Sequence, residues 1–162
     1  MKSNNKVYIL YLLLTIGYLF TACTTPATFE KIVKLNNDQW LKDSVINITL
    51  PVTDTLGVYA IIVDLRNNND YPFRNIYLFV DVVSPTGVTV CDTVEYELSD
   101  MQGKWLGKRG SYWIDHRLSY RPTVIFPDTG HYAFGIRHGM RADTLLGIGA
   151  VGLRLELIDI EK

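Results

Sequence analysis

Along most of this chain apolar and polar residues alternate at every second position, the period of a β-strand with one buried face. Val45 to Leu50 (VINITL) predicts a first strand, stopped by Pro51. Gly57 to Arg66 (GVYAIIVDLR) is almost wholly apolar and ends at the turn cluster Asn67-Asn68-Asn69-Asp70. A run that is apolar on both faces predicts a central strand. Ile76 to Val83 (IYLFVDVV) repeats that character and stops at Ser84-Pro85-Thr86-Gly87, a β-turn sequence. From Val88 to Leu98 the alternation is cleaner. Val88, Val90, Val94, Tyr96 and Leu98 share one face, and Thr89, Cys91, Thr93, Glu95 and Glu97 share the other. Asp92 interrupts the apolar face, which predicts a bulge or a strand edge. Cys91 falls among polar side chains, yet cysteine is so often buried that a covered, structural thiol is expected.

Tyr112 to Tyr120 predicts one further strand and Thr123 to Phe126 another, before a turn at Pro127-Asp128-Thr129-Gly130. His131 to His138 sets Tyr132, Phe134, Ile136 and His138 on one face. Val151 to Leu157 sets Val151, Leu153, Leu155 and Leu157 against Arg154 and Glu156. Met140 to Leu146 suits either a short helical turn or an extended connection. Glu30 to Asp43, with Trp40, has little periodicity and is expected to wrap one end of the domain. Ser99 to Ser111 (SDMQGKWLGKRGS) is the longest irregular stretch. Short strands between turn signals, with hardly any helical period, predict an all-β antiparallel sandwich. A jelly-roll-like form is preferred, although pattern alone does not order the strands.

The N-terminus follows a different pattern. Lys2 and Lys6 precede an uncharged, mostly apolar run from Val7 to Phe20, 14 residues long. That is too short for a membrane-spanning helix of about 20 residues, and it suits the apolar part of a secretory signal. The run ends Phe20-Thr21-Ala22-Cys23, which resembles a bacterial lipobox, with phenylalanine where leucine is more usual. Such a site is cut between Ala22 and Cys23 after the thiol has taken a diacylglycerol. The freed amine is then acylated, commonly with palmitate. The expected organisation is a lipoprotein signal peptide at 1–22, a lipidated tether at 23–29 and one β-sandwich domain at 30–162.

Charge and cysteine content narrow the partners. Two of the 16 basic residues and none of the 17 acidic ones lie in the signal, so the mature chain carries 14 against 17, a net charge of −3. With no block of like charge, nucleic acid is excluded as an expected partner. If Cys23 carries lipid, Cys91 has no disulfide partner, and stability must come from packing.

Apparent chemical motifs fail on context. Gly147-Ile148-Gly149-Ala150-Val151-Gly152 matches G-x-G-x-x-G, but it leads into a strand, whereas a dinucleotide fingerprint opens a helix. Gly103 and Gly107 are misspaced for a P-loop, and Arg109 stands where Ser or Thr is required. His131 and His138, seven apart in one strand, point to opposite faces and cannot share a metal. Asp115 and His116 are adjacent and diverge in the same way, while Ser111 lacks the elbow of a hydrolase nucleophile. No catalytic residue, metal site or cofactor is expected.

The irregular stretch is the more open case. Trp105, Lys108, Arg109 and the nearby Trp113 form a candidate partner surface, since Trp and Arg are common anchors at protein interfaces. Trp105, Tyr112 and Trp113 are alternatively an aromatic platform for sugar rings. The plainer expectation is that Trp105 and Leu106 fold back to cap the sandwich, leaving Lys104, Lys108 and Arg109 solvated.

Several ordered blocks together resemble the gliding-motility lipoprotein H (GldH) family of Bacteroidetes. They are the lipobox cysteine, Asn75-Ile76-Tyr77-Leu78-Phe79-Val80, Asp92-Thr93-Val94-Glu95-Tyr96, Gly103-Lys104-Trp105-Leu106-Gly107, Phe126-Pro127-Asp128-Thr129-Gly130-His131-Tyr132, Met140-Arg141 and Gly152-Leu153-Arg154-Leu155-Glu156. The resemblance implies an envelope lipoprotein required for gliding and linked to type IX secretion, whose partners are envelope proteins and membrane lipid through Cys23. The only functional residue it carries over is that acylated cysteine. Thr24-Thr25-Pro26-Ala27 lacks the acidic residues that often accompany surface display, which points to an outer-membrane protein facing the periplasm. The competing expectation is a carbohydrate-binding envelope lipoprotein.

Overall fold

A computed structural model describes residues 28–158, so the expected signal, Ala22 and Cys23 lie outside the described residues. The strands are β1 (Phe29–Lys34), β2 (Gln39–Leu41), β3 (Ile46–Val52), β4 (Tyr59–Asn67), β5 (Asn75–Val83) and β6 (Thr89–Glu97). They continue as β7 (Lys108–Arg109), β8 (Ile114–Val124), β9 (Gly130–His138), β10 (Thr144–Leu146) and β11 (Ile148–Leu157). One turn of 3-10 helix at Asn36–Asp38 separates β1 from β2.

One antiparallel sheet has the order β1-β11-β4-β8-β7 and a second has β3-β9-β5-β6, while β10 and β2 form a small ribbon. The pairings are nested: β5 with β6, β4 with β8, β3 with β9, and β1 with β11. A single long hairpin with its tip between β5 and β6, rolled up on itself, generates that nesting. Rolling adds the pairs β4–β11 and β5–β9 and divides the hairpin between two sheets. This is jelly-roll topology, an antiparallel sandwich built from eight principal strands.

Alternation fixes which side chains enter the space between the sheets. From one side come Tyr59, Ile61, Val63 and Leu65 of β4 with Val151, Leu153 and Leu155 of β11; from the other come Ile48 and Leu50 of β3, Ile76, Leu78 and Val80 of β5, and Phe134 and Ile136 of β9. The run read as central is β4, and it occupies the middle of the five-stranded sheet. The outward face of that sheet is polar and ion-paired. There Arg154 lies 2.7 Å from Glu30 and 3.2 Å from Asp64, and Arg66 lies 2.6 Å from Asp115.

Several expectations change. Pro51 does not stop the first strand: β3 continues through it to Val52. Because β3 pairs only with β9, it is an edge strand, where the missing N–H of proline breaks no ladder. The two strands expected over 112–126 are one, β8, which absorbs Pro122 with two register shifts against β4. Glu30 to Asp43 supplies a true edge strand, β1, and buries Trp40 completely in β2. Met140 to Leu146 is extended at its end, as β10. Cys91 is exposed, not covered, because β6 is an edge strand whose outward face meets solvent.

The same edge explains Asp92. The β5–β6 register runs unbroken, so no bulge is present. Asp92 points toward the opposing sheet, where its carboxylate accepts hydrogen bonds from the Tyr120 hydroxyl and, at 2.6 Å, from Arg121. Nearby, the Tyr96 hydroxyl donates to the Ser119 carbonyl at 3.0 Å. Burial pushes Tyr96 up to about 12, so the phenol stays a donor. Polar straps therefore close the sandwich along the side where β6 leaves the core open.

Candidate functional site: the aromatic end of the sandwich

The strands define two ends. Thr28 donates its backbone N–H to the Leu155 carbonyl, so the chain enters where β11 finishes and β4 starts. The opposite, distal end holds the turn after β4, the segment 98–113 and the connection from β9 to β11. Here three consecutive asparagines each fasten one residue of the 105–116 region. Asn67 Oδ1 lies 2.9 Å from Nε2 of His116, Asn68 Nδ2 donates to the Tyr112 hydroxyl at 2.8 Å, and Asn69 Oδ1 accepts from Trp105 Nε1 at 3.0 Å. Asn67 spends its amide N–H on the Asn68 carbonyl, so its oxygen faces His116 and Nε2 of His116 carries the proton. Burial holds His116 below the ordinary histidine range, against a smaller upward pull from Asp115, and keeps the ring neutral.

Segment 98–113 is shaped by backbone bonds as much as by side chains. Ser99 and Trp105 form an isolated bridge, and Leu106 N–H donates to the Leu98 carbonyl at 2.9 Å. Asp100 closes the turn by accepting from the backbone N–H of Gln102 and Lys104. Gly107 is required by a close approach, since a Cβ there would stand 2.6 Å from the Asp115 carbonyl. Trp105 is half-buried against the core and meets Tyr71 and His116 with ring centroids 6.5 and 6.3 Å away. Its capping role is as expected. Leu106 departs from that expectation: its backbone is tied down while its side chain faces solvent, 59% exposed.

Trp113 sits elsewhere at this end. Its six-membered ring covers Gly149, where a Cβ would approach to 2.4 Å, and its edge meets Tyr112 at 4.7 Å and 84°. Lys108 and Arg109 form the short β7 and are both solvent-exposed. The four candidate residues thus belong to one end, as the hairpin from 105 to 114 places them. Their rings are turned to different neighbours: Trp105 to Tyr71 and His116, Trp113 to Tyr112 and Gly149. The asparagine clamp was not foreseen. Its residues look like an ordinary turn cluster in sequence, and only the register of β4 against β8, with Asn67 opposite Ile114, brings them to their partners.

The remaining motifs are structural. The G-x-G-x-x-G run opens β11, a strand, as its context required. Gly147 adopts φ +76 at the turn into it, with the Tyr71 backbone N 2.4 Å from where a Cβ would lie. His131 is exposed while His138 is buried, on opposite faces of β9. Ser111 is exposed, Asp115 is engaged with Arg66, and His116 with Asn67, so they form no triad. Among the described residues, no three potential metal-ligating side chains converge.

A family model described as GldH lipoprotein matches residues 27–155. The chain is 32% identical over 148 residues to the gliding motility lipoprotein GldH homolog of Christiangramia forsetii, covering 87% of this chain and 90% of that protein. It is 34% identical over 155 residues to the gliding motility lipoprotein GldH of Flavobacterium johnsoniae, covering 91% of this chain and 96% of that one. Among solved structures, infectious bursal disease virus Gt strain is similar at 12% identity and a TM-score of 0.34, over 80% of this chain and 32% of the viral one. Its Gx strain gives 15% identity and a TM-score of 0.32, over 82% of this chain and 32% of the viral one. A family model spanning nearly all the described residues, and two relatives aligned along most of their length, establish that the chain belongs to the GldH lipoprotein family.

Proposed function

We propose that this chain is a lipid-anchored, non-enzymatic component of the gliding-motility apparatus and its associated type IX secretion machinery. Membership of a lipoprotein family makes it a membrane-anchored protein of the cell envelope. No helix among the described residues is long and apolar enough to cross a membrane. The observation that carries the reading is the family match over 27–155, joined in sequence to Thr21-Ala22-Cys23. In this reading acyl chains on Cys23 fix one end of the sandwich at the outer membrane, periplasmic side, and the distal end recruits or steadies neighbouring envelope proteins. A single acyl chain binds membranes only marginally, whereas two or more hold stably, which is why acylation of both thiol and amine matters. What supports a scaffolding role is the fate of the distal polar groups: His116, Asn67, Asn68 and Tyr112 are used up in one another and Trp105 Nε1 is held by Asn69, while the exposed Arg109 offers an anchor type of a protein interface with Lys108 beside it.

The test is genetic and biochemical together. In the native host, deletion of the chain is expected to abolish spreading or to deplete type IX cargo from the medium. The intact chain restores the phenotype; Cys23→Ala, found in the soluble fraction without lipid mass, does not. Full rescue by a soluble Cys23→Ala protein would overturn the reading. Polysaccharide binding by the purified domain that disappears in Trp113→Ala would instead favour a glycan-binding lipoprotein.

A further inference from the structure

We infer that the tether-side end of the sandwich is a membrane-contacting surface, resting on the lipid interface through aliphatic side chains at its loop tips. Four side chains carry it: Leu56, Val88, Ile125 and Leu157. They are 91%, 62%, 59% and 46% exposed, and they come from four different parts of the chain. Single exposed aliphatics are ordinary on protein surfaces. What sets these apart is that the fold gathers them around the point where the tether arrives.

The gathering follows from specific contacts. Ile158 N–H donates to the Val58 carbonyl at 2.7 Å, and Leu157 pairs with Tyr59, so the end of β11 lies beside the 53–58 loop. Thr28 joins them through the Leu155 carbonyl. Tyr59 meets Phe126 with ring centroids at 5.8 Å, and Phe126 meets Tyr132 at 4.9 Å, which carries the surface across to the second sheet. Pro85 of the 84–88 turn stands 2.8 Å from where a Cβ on Gly130 would be, bringing Val88 to the same end.

Leu56 is presented deliberately. Asp54 accepts from the backbone N–H of Leu56 at 2.8 Å and of Gly57 at 3.1 Å, and from the Tyr59 hydroxyl at 3.2 Å. The carboxylate is satisfied within its own loop, and the leucine is left at the apex with nowhere to fold back.

Charge separates the two ends. The loops 53–58, 84–88 and 125–129 contain no lysine or arginine; Asp54 and Asp128 are their only charged residues. The distal segments 35–45, 68–74, 98–113 and 139–147 together carry six basic residues (Lys42, Arg74, Lys104, Lys108, Arg109 and Arg141) against five acidic ones (Asp38, Asp43, Asp70, Asp100 and Asp143), a net charge of +1. An aliphatic rim without lysine or arginine can meet the acyl boundary of a bilayer only through its apolar side chains, whereas the lysines and arginines of the distal end would be drawn to phosphate headgroups.

Tether length sets the geometry. From Cys23 to Thr28 the chain reaches at most about 18 Å when fully extended, at about 3.3–3.6 Å per residue. A strand as long as β8 spans about 35 Å at about 3.3 Å per residue. The lipid therefore holds the end bearing Leu56 and Ile125 close to the bilayer, and that end is the one built to tolerate it. The contact rests on acylation of Cys23, so the experiment reads anchor and contact separately.

Lipidated protein bearing Cys91→Ser, which removes the exposed thiol, is reconstituted in phosphatidylethanolamine vesicles with a minor share of phosphatidylglycerol. An environment-sensitive dye is attached through Leu56→Cys or Ile125→Cys at the tether end, and through Met101→Cys or Leu106→Cys at the distal end. Brominated acyl chains are expected to quench and blue-shift the dyes at 56 and 125 and to leave those at 101 and 106 as in water. Raising the salt should change nothing, because no basic residue makes the contact. Ile125→Asp should relieve quenching of the dye at 56 while the lipid mass on Cys23 is retained. Unquenched dyes at 56 and 125 in a protein that still carries its lipid would overturn the contact and leave the anchor standing. Cys23→Ala protein that stays on the vesicles would overturn the anchor, and quenching at 56 would then report the contact alone.

Discussion

His138 and His116 are both buried histidines, and they differ in one respect that decides what each is worth. His116 shares a well-formed hydrogen bond with Asn67; the ring nitrogens of His138 have no well-formed partner and meet only a poorly aligned Trp40 backbone group, while the ring packs edge-on against Trp40 at 5.5 Å. An unsatisfied buried polar group costs about 1–3 kcal/mol. His138→Leu is therefore expected to be neutral or mildly stabilising in chemical denaturation. His116→Leu strands the Asn67 oxygen and should cost about 1–3 kcal/mol by the same reasoning. Equal losses for the two would contradict this assignment. Burial also lowers the pKa of both rings below their ordinary 6.5. The unfolded chain then takes up protons that the native chain refuses, so the native advantage is complete above about pH 6.5 and shrinks as pH falls below it. Unfolding free energy should fall on acidification through that range, by no more than about 1.4 kcal/mol per pH unit for each ring, with melting temperature falling alongside it, and His138→Leu should flatten the slope. Arg154 gives a further contrast. It is far less exposed than Arg66 and serves Glu30 and Asp64 together, and the half-buried Asp64 is raised by desolvation and held down by Arg154. Arg154→Ala should cost about 2–3 kcal/mol, more than Arg66→Ala, whose exposed pair is worth about 0–1 kcal/mol however short its contact.

At the scale of elements, β6 is the strand most in need of fastening. It pairs only with β5, and Val88 and Val90, which share the apolar parity of Val94 and Tyr96, run past the core into solvent. The strap from Asp92 to Tyr120 and Arg121 replaces apolar packing there. Asp92→Ala should destabilise by about 1–3 kcal/mol and speed amide exchange in β6 before β4, the central strand. Uniform exchange across both strands would show that the strap is idle. Most strands were legible: β9 and β11 follow from period two, and β4 and β5 from nearly continuous apolar runs bounded by turn clusters. The errors have local causes. Pro51 looked like a stop because a proline breaks a ladder, but an edge position accommodates it, and the strand read as ending at Tyr120 runs on through Pro122 with a pair of register shifts. β1 was missed because Glu30, Ile32 and Lys34 are exposed on its outward face and Lys31 interrupts the inward one, leaving only Phe29 and Val33 touching the core. The asparagine clamp was invisible for a different reason, since partners 44, 49 and 36 residues away depend on register and not on pattern.

For the whole molecule, the nested pairing has consequences in time and in space. Joining Phe29 to Leu155 must await the closure of everything between them, so folding is dominated by distant contacts. Refolding of the mature chain, followed by tryptophan fluorescence as Trp40 becomes buried, should take milliseconds to seconds and not microseconds. In space, the rolled hairpin separates an aliphatic end at the tether, whose loops hold no lysine or arginine, from an aromatic end of mixed charge opposite it, with lipid as the partner of the first and envelope proteins of the second. The most direct test of that assignment is photo-crosslinking in intact cells from single residues at each end. With the crosslinker at Leu106 or Lys108, adducts to motility or secretion proteins are predicted, while the same group at Leu56 yields lipid adducts. Lipidated, membrane-resident protein that reproducibly captures no protein from either distal position would contradict the account.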